Sequence, residues 1–472
     1  MRIHSYISRG EKNCTFLLSD SDNDGENFFS ILVGENGVGK SRFLRDVFNT
    51  TFNSMLKESL FDELGAVEDS FGKLTLIPKH DDGFSWPPSQ IIALSGVATD
   101  KFPNKRSLAS RNGSKFDSSK YLYCGPKSEN GMVSRNLSER QLYVEILKNL
   151  EKDERRDTAV SAAFDFFPQA SGAVFRIGER EKSVPPLPSN TVQLRKHIEN
   201  FFSNRVFEKS QFATGDRTFA DELEVLAQNP EFLETSVHIL RNPSEFGWNL
   251  SNQGGVDYTF SSNERTALRI LLTMRLIRIQ GALLMPNSKE LAFEMLSSGQ
   301  WQVFSSILLV AFAAEDDALI LVDEPENSLH PAWQQKYLPT LKNALNGIIG
   351  AHVMVATHSP LVASSVQPDI GTVCAVKRKK NGGLEAKVLS RATYGWSADD
   401  ILQEVFELPS SRSIGFRRDL DDALRLIGEG KIDDKRLGII LERLNAATAT
   451  LPNADAIREV VATMNALAGG YR

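Results

Sequence analysis

The period of apolar and polar positions changes several times along this chain, and the changes divide it. Residues 2–8, 15–18 and 28–33 read as short strands separated by polar turns such as residues 19–25. The third strand runs straight into Gly34-Glu35-Asn36-Gly37-Val38-Gly39-Lys40-Ser41, and residues 42–48 follow with apolar spacing that suits a helix. Residues 91–94 form an unbroken apolar run, read as a buried strand. After it Lys101, Lys105, Arg106, Arg111, Lys115 and Lys120 punctuate a loop rich in Ser, Asn and Gly. From Asn136 to Gln280 the pattern turns mostly helical. Ser138-Glu139-Arg140-Gln141 has the form of a capping box, Leu194, Ile198 and Phe201 recur at helical spacing, and residues 264–280 contain few breakers. Pro185, Pro186 and Pro188 mark an exposed loop within this stretch.

Further on, residues 318–322 are a continuous apolar strand, residues 332–345 a helix and residues 353–356 a second buried strand, the alternation expected of an α/β sheet. Residues 372–376 and 384–388 flank Lys377-Arg378-Lys379-Lys380-Asn381-Gly382-Gly383, a hairpin with a basic tip. From Ser397 onward the pattern is helical, with amphipathic runs at residues 420–427 and 437–451.

Composition narrows the function classes. With 54 Lys and Arg against 60 Asp and Glu there is no bulk basic footprint, so any nucleic-acid contact would run through a local patch or a partner chain. Cys14, Cys124 and Cys374 lie far apart with no C-x-x-C pair, which signals neither a disulfide framework nor a zinc site and fits a reducing cytoplasm. The longest mostly apolar stretch, residues 303–314, is short for a bilayer span and stops at Glu315, Asp316 and Asp317. Residues 1–20 do not read as a signal peptide, and no membrane crossing is expected.

Four segments carry chemistry. Gly34-x4-Gly39-Lys40-Ser41 reads as a phosphate-binding loop: glycines let backbone N–H groups approach phosphate oxygens, Lys40 brings charge to the β/γ-phosphates, and Ser41 can ligate Mg2+. Gly34, Asn36, Gly37, Gly39, Lys40, Ser41 and Arg42 form the expected nucleotide set, with ATP and Mg2+ as cofactors. The strand ending at Val322 delivers Asp323 as metal carboxylate and Glu324 as general base for the attacking water. Leu296-Ser297-Ser298-Gly299-Gln300 precedes a long apolar helix, so its N-terminus could bind an anion; read alone, it is also an ordinary helix cap. His358 stands at the end of the strand at 353–356, 35 residues after Asp323.

In this order the segments resemble the ATP-binding cassette family of ATPases. The resemblance implies an ABC-type core, a mixed sheet flanked by helices, with a helical insertion and a helical C-terminal region. The corresponding segments are 1–135 and 286–392 for the core, 136–285 for the insertion and 393–472 for the tail. It implies a head-to-tail homodimer or higher homo-oligomer in which Ser297, Ser298, Gly299 and Gln300 close over the nucleotide of the other copy. His358 would then sense the γ-phosphate, and Asn327, Ser328 and Leu329 would cross the interface. Asp323-Glu324-Pro325-Glu326-Asn327-Ser328-Leu329-His330-Pro331 resembles the recombination, chromosome-maintenance and phage-defence branch, since transporter cassettes carry Asp where this chain has His330. Leu296 stands 255 positions after Ser41, leaving room for the insertion, and Gly172, Pro186 and Pro188 argue against a long coiled-coil arm. The match is best to the ATPase subunits of Septu-type anti-phage systems, which work with a separate HNH nuclease. Gln300 departs from the Glu common in that branch. The glutamine that usually links Mg2+ to the insert has no clear equivalent: Gln90 is too early, and Ser95 or Thr99 stands near its place.

The leading expectation is thus an ATP-driven switch controlling a separate nuclease. A DNA-repair or recombination ATPase that binds duplex DNA through the basic loop or hairpin tip is the alternative, followed by a nucleotide-gated scaffold and, last, a transporter subunit.

Overall fold

The computed structural model describes residues 3–8, 14–17, 26–57, 66–76, 86–103, 108, 118–127, 135–150, 154–178, 186–203, 217–367, 370–378, 384–389, 393–408, 411–453 and 455–469. The polar turn at 19–25, Pro185, most of the basic loop beyond Pro103 and the hairpin tip at 379–383 lie outside them. The chain divides into Met1–Ser397 and Ala398–Arg472, so Thr393-Tyr394-Gly395-Trp396 belongs with the first unit rather than with the tail.

The first unit carries sixteen described strands: β1 (Ile3–Ser8), β2 (Cys14–Leu17), β3 (Phe28–Val33), β4 (Ala66–Glu68), β5 (Gly72–Leu76), β6 (Ile91–Ser95), β7 (Tyr121–Cys124), β8 (Gly172–Gly178), β9 (Gly247–Ser251), β10 (Val256–Tyr258), β11 (Arg278–Met285), β12 (Lys289–Ala292), β13 (Leu319–Asp323), β14 (His352–Thr357), β15 (Gly371–Arg378) and β16 (Leu384–Val388). The main sheet has the order β16-β15-β3-β14-β13-β6-β7. All its pairings are parallel except the edge pair β15/β16, which is antiparallel. Every residue of β3, β6, β13 and β14 is buried, which is why these strands read as continuous apolar runs and not as alternation.

Helix α1 (Lys40–Lys57) lays Phe43, Leu44, Val47, Phe48 and Phe52 against Leu32, Ile91, Leu319, Leu321 and Met354 of the sheet. Phe48 stacks on Phe52 at 5.4 Å and meets the Tyr121 ring edge-on at 4.7 Å. Each such fully buried ring contributes on the order of 1.5–3 kcal/mol, and together they hold α1 on the sheet. At the opposite end of the sheet, His352 is fully buried: its Nδ1 accepts the Ile3 N–H at 3.1 Å, so its Nε2–H donates to Ser30 Oγ at 2.8 Å. The imidazole is one link between the antiparallel sheet β2-β1-β5-β4 and the main one, which also share a core through Ile3, Tyr6, Leu74 and Leu76.

The stretch at 136–285, expected to be helical, is mixed. It holds α2 (Arg135–Lys148), α3 (Glu154–Ala162), α4 (Thr191–Ser203), α5 (Arg217–Ala227), α6 (Pro230–Arg241) and α7 (Ser262–Thr273). It also supplies four strands of an antiparallel sheet, β10-β9-β8-β11-β12. The helix expected over 264–280 begins with a capping box, Ser261 with Glu264, but stops at Thr273. Arg275 takes φ +61° and the chain leaves as β11. Helices α8 (Ser298–Ala313), α9 (Pro331–Ala344) and α10 (Pro360–Ala363) complete the unit. Nearly every residue of α8 is buried, as its apolar composition all round requires.

The second unit contains α11 (Ala398–Glu404), α12 (Ile414–Gly428), α13 (Lys435–Thr448) and α14 (Ile457–Gly469). Ala423, Leu426, Leu437, Ile440, Leu441, Leu444, Val461 and Met464 form its core. Among the described residues no helix is long and apolar enough to cross a membrane.

Candidate nucleotide site

Parallel order and register collect the carboxyl ends of four strands at one edge of the main sheet. Asp323 pairs with Ser95 on one side and Ala356 on the other, while Val33 pairs with Thr357. Gly34–Ser41, Ser95-Gly96, Asp323-Glu324 and His358 therefore emerge together, where α/β sheets bind ligands.

The phosphate loop bends through Gly37 and Gly39, at φ +74° and +116°, backbone that residues with a Cβ rarely adopt. Arg378 of β15 donates from Nη2 to the Gly37 carbonyl at 3.0 Å. Lys40 Nζ spans the loop, donating to the Gly34 carbonyl at 2.7 Å and the Glu35 carbonyl at 3.0 Å. Burial lowers its pKa, while the carboxylates of Glu324, Glu326 and Asp323 oppose the shift. Glu35, Asn36, Gly37 and Arg42 are exposed. Helix α1 has no acidic residue in its first turn, so its first N–H groups, which lack intrahelical acceptors, are left for an anion.

Ser41 Oγ donates to Asp323 Oδ1 at 2.8 Å, and Asp323 is 1% exposed. The other carboxylate oxygen, Oδ2, is buried without a hydrogen bond. Burial foremost raises the Asp323 pKa to about 7; Glu324, Asp100 and Glu326 push the same way and the Ser41 hydrogen bond opposes. A buried carboxylate with an unsatisfied oxygen beside a hydroxyl is the donor set a hard divalent cation takes. Among the described residues no group of three or more His, Cys, Asp or Glu could hold a metal by itself. A cation here would draw its remaining ligands from phosphate and water, which is the habit of Mg2+.

Glu324 sits at φ +48°, with its N–H on the Ala356 carbonyl at 2.9 Å. Gly96 presses against it: a Cβ there would stand 2.1 Å from the Glu324 carbonyl oxygen. Asn327 Nδ2 donates to the Gly96 carbonyl at 2.8 Å. Glu326, to which the motif gives no role of its own, is 5% exposed. Its Oε1 accepts the His358 N–H at 2.6 Å and stands 3.0 Å from His358 Nδ1. Next to it, Gln334 accepts from Ser359 Oγ at 2.6 Å and donates to the Leu329 carbonyl at 3.1 Å, linking the histidine turn to the 327–329 turn. No short motif announces either contact, because both join residues from different elements.

Ser297 caps α8 in a capping box with Gln300: the Ser297 N–H donates to Gln300 Oε1 at 2.9 Å and the Gln300 N–H to Ser297 Oγ at 3.2 Å. Gln300 thus does the reciprocal capping that Glu would otherwise do. Ser297 and Ser298 are exposed. Gly299 is buried against the chain's own 328–329 turn, where a Cβ would meet the Ser328 carbonyl oxygen at 2.2 Å. The structure therefore brings Gly34–Ser41, Asp323, Glu324 and His358 together and seats Ser297–Gln300 beside the 327–329 turn. Among the described residues no hydrogen bond joins that turn to Gly34–Ser41.

Gln90 lies at the far end of β6 and donates to the Ala313 carbonyl at 2.6 Å, so it is remote from the site, as its early position suggests. Ser95 Oγ is turned onto Val97, and Thr99 is exposed. The ionisable group that follows β6 near Asp323 is Asp100, buried and held by Tyr123 Oη at 2.8 Å and Lys127 Nζ at 2.9 Å.

Residues 100–364, more than half of the chain, match the family described as AAA domain, putative AbiEii toxin, Type IV TA system. The Septu protein PtuA of Bacillus thuringiensis is 27% identical over 143 residues, which are 27% of this chain and 35% of that protein, so the match spans about a third of this relative's length. Among solved structures, the Smc head domain with an extended coiled coil from Pyrococcus furiosus is 13% identical, with a TM-score of 0.30 and 82% and 96% of the two chains covered. A putative metal-chelate type ABC transporter in an inward-facing conformation gives 13% and 0.28, covering 86% and 89%. At such scores neither likeness carries an argument about this chain.

Proposed function

The chain belongs to the family described as AAA domain, putative AbiEii toxin, Type IV TA system, and from that premise we propose that it is an ATP-hydrolysing switch that pairs with a second copy of itself. The observation that carries this reading is the Ser41–Asp323 contact at 2.8 Å, with the second Asp323 oxygen buried and unsatisfied at the foot of the phosphate loop. The N–H groups of the first turn of α1 and the Lys40 ammonium bind the phosphates. Ser41 Oγ and Asp323 hold Mg2+, which when bound neutralises phosphate charge. Glu324 accepts the proton of the attacking water, and His358, steadied by Glu326, faces the terminal phosphate.

Ser298 and Gly299 meet the nucleotide of the partner copy, and the 327–329 turn crosses between copies. Both turns sit at the same place in this chain, since Gly299 packs on Ser328. A nucleotide at about 100 times its dissociation constant adds roughly 2.7 kcal/mol to the state that alone binds it, enough to shift a pairing equilibrium about a hundredfold. The likeness to a Septu protein supports a place in anti-phage defence, in which the paired state restrains or releases a separate nuclease subunit of HNH type.

Glu324→Gln tests the reading. Turnover should fall about 10²- to 10⁴-fold while nucleotide still binds and ATP-dependent pairing, followed by sedimentation velocity, persists. Undiminished turnover would remove Glu324 as the base.

A further inference from the structure

We propose that Arg135 is the positioning residue of the serine-glycine turn, coupling the first helix of the inserted lobe to the part of the site that faces the second copy; the inference rests on the reading above that Ser298 acts across the pair. Arg135 is the first residue of α2. Its guanidinium donates to the carbonyls of Phe293 and, at 3.3 Å, Leu296, while Nε donates to Glu139 Oε1 at 2.8 Å. It also lies 4.8 Å over the Trp301 ring.

These partners bracket the turn. Phe293 and Leu296 are the two ends of the short helical turn that leads into Ser297, and Trp301 is in the first turn of α8 behind it. A planar fork with donors on two edges and a π-stacking face can engage all three at once, which the point charge of a lysine cannot. The anchor is stiff on the other side as well. Phe293 is 2% and Trp301 5% exposed, their rings pack at 5.5 Å, and Glu294 pairs with Arg278 of β11. A shift of α2 therefore shifts the backbone that leads into Ser297 and Ser298. The lobe meets the core at several places, and the contact made by Arg135 is one that ends at the approach to the serine-glycine turn.

The test is a double-mutant cycle of Arg135→Lys with Ser298→Ala on the full chain. Three quantities are read: turnover, ATP-dependent pairing and affinity for a fluorescent ATP analogue. A misplacement of about 1 Å by a residue away from the chemistry can cost on the order of a hundredfold. Arg135→Lys should therefore lower turnover and pairing about 10- to 100-fold, leave nucleotide affinity unchanged, and add little once Ser298→Ala is present. Wild-type turnover and pairing in Arg135→Lys, or losses that multiply fully with those of Ser298→Ala, would overturn the proposal. If the thermal midpoint shows that Arg135→Lys does not fold, Trp301→Phe, which keeps an aromatic ring but weakens the cation–π face, is put through the same cycle against the same two outcomes. Should Ser298→Ala alone change neither turnover nor pairing, the reading of a site shared between copies fails; should it lower both while Arg135→Lys lowers neither, this inference alone fails.

Discussion

Asp323→Asn should stabilise the metal-free protein above neutral pH and give no such gain in acid. Burial moves the Asp323 carboxyl from an ordinary value of about 3.9 to about 7. Between those values the unfolded chain has lost the proton and the folded one has kept it, so stability falls as pH rises across the window and is level above it. Three pH units at about 1.4 kcal/mol each set a ceiling of about 4 kcal/mol on the cost of the buried charge. Asn keeps the size of the side chain and an oxygen to accept from Ser41, and it never ionises. Its amide nitrogen falls where Asp323 Oδ2 has no hydrogen bond, which costs about 1–3 kcal/mol. The net gain at pH 8 is therefore at most about 1–3 kcal/mol, or a few degrees in thermal midpoint. The assay is dye-monitored melting of both proteins from pH 4 to pH 8 in excess chelator, repeated with Mg2+ and ATP, where the order of stability should reverse. An Asn variant destabilised equally at pH 4 and pH 8 in chelator would refute the argument that the site is charged at a cost and awaits a cation.

Further outcomes follow from contacts on both sides of the site. Gly299→Ala puts a methyl group 2.2 Å from the Ser328 carbonyl oxygen, an overpacking of about 1–3 kcal/mol; ATP-dependent pairing measured by sedimentation should be lost while analogue binding to a single copy survives. Gln300→Ala removes half of the α8 capping box, and melting should register a loss of about 1 kcal/mol. Arg378→Ala frees the Gly37 carbonyl, and the expected consequence is weaker binding of the ATP analogue with no change in turnover at saturation.

The centre of the main sheet was legible because β3, β6, β13 and β14 are buried on both faces. Such strands are written as largely apolar runs, and β3 falls where the pattern puts it; the edge strand β16, alternating Leu-Glu-Ala-Lys-Val, falls where the hairpin reading puts it. The phosphate loop and the Asp323-Glu324 pair were legible for a related reason: their chemistry needs neighbours in sequence. The sheet of the insert was not. β9, Gly-Trp-Asn-Leu-Ser, is short and half polar, and no Gly or Pro separates α7 from β11, so helical periodicity ran on past Thr273. Glu326 on His358, Arg135 on Leu296 and Asp100 near Asp323 were equally hidden, since each is defined by a partner from a different element.

Helix α8 is gripped at both ends. Arg135 holds the carbonyls leading into its start, while at its finish Gln90 donates to the Ala313 carbonyl at 2.6 Å and Arg156 to the Phe312 carbonyl at 2.8 Å. A rod clamped at two supports cannot swivel about one of them. A push on the lobe that reaches the start of the rod is therefore opposed at its finish, where Gln90 holds it from the foot of β6.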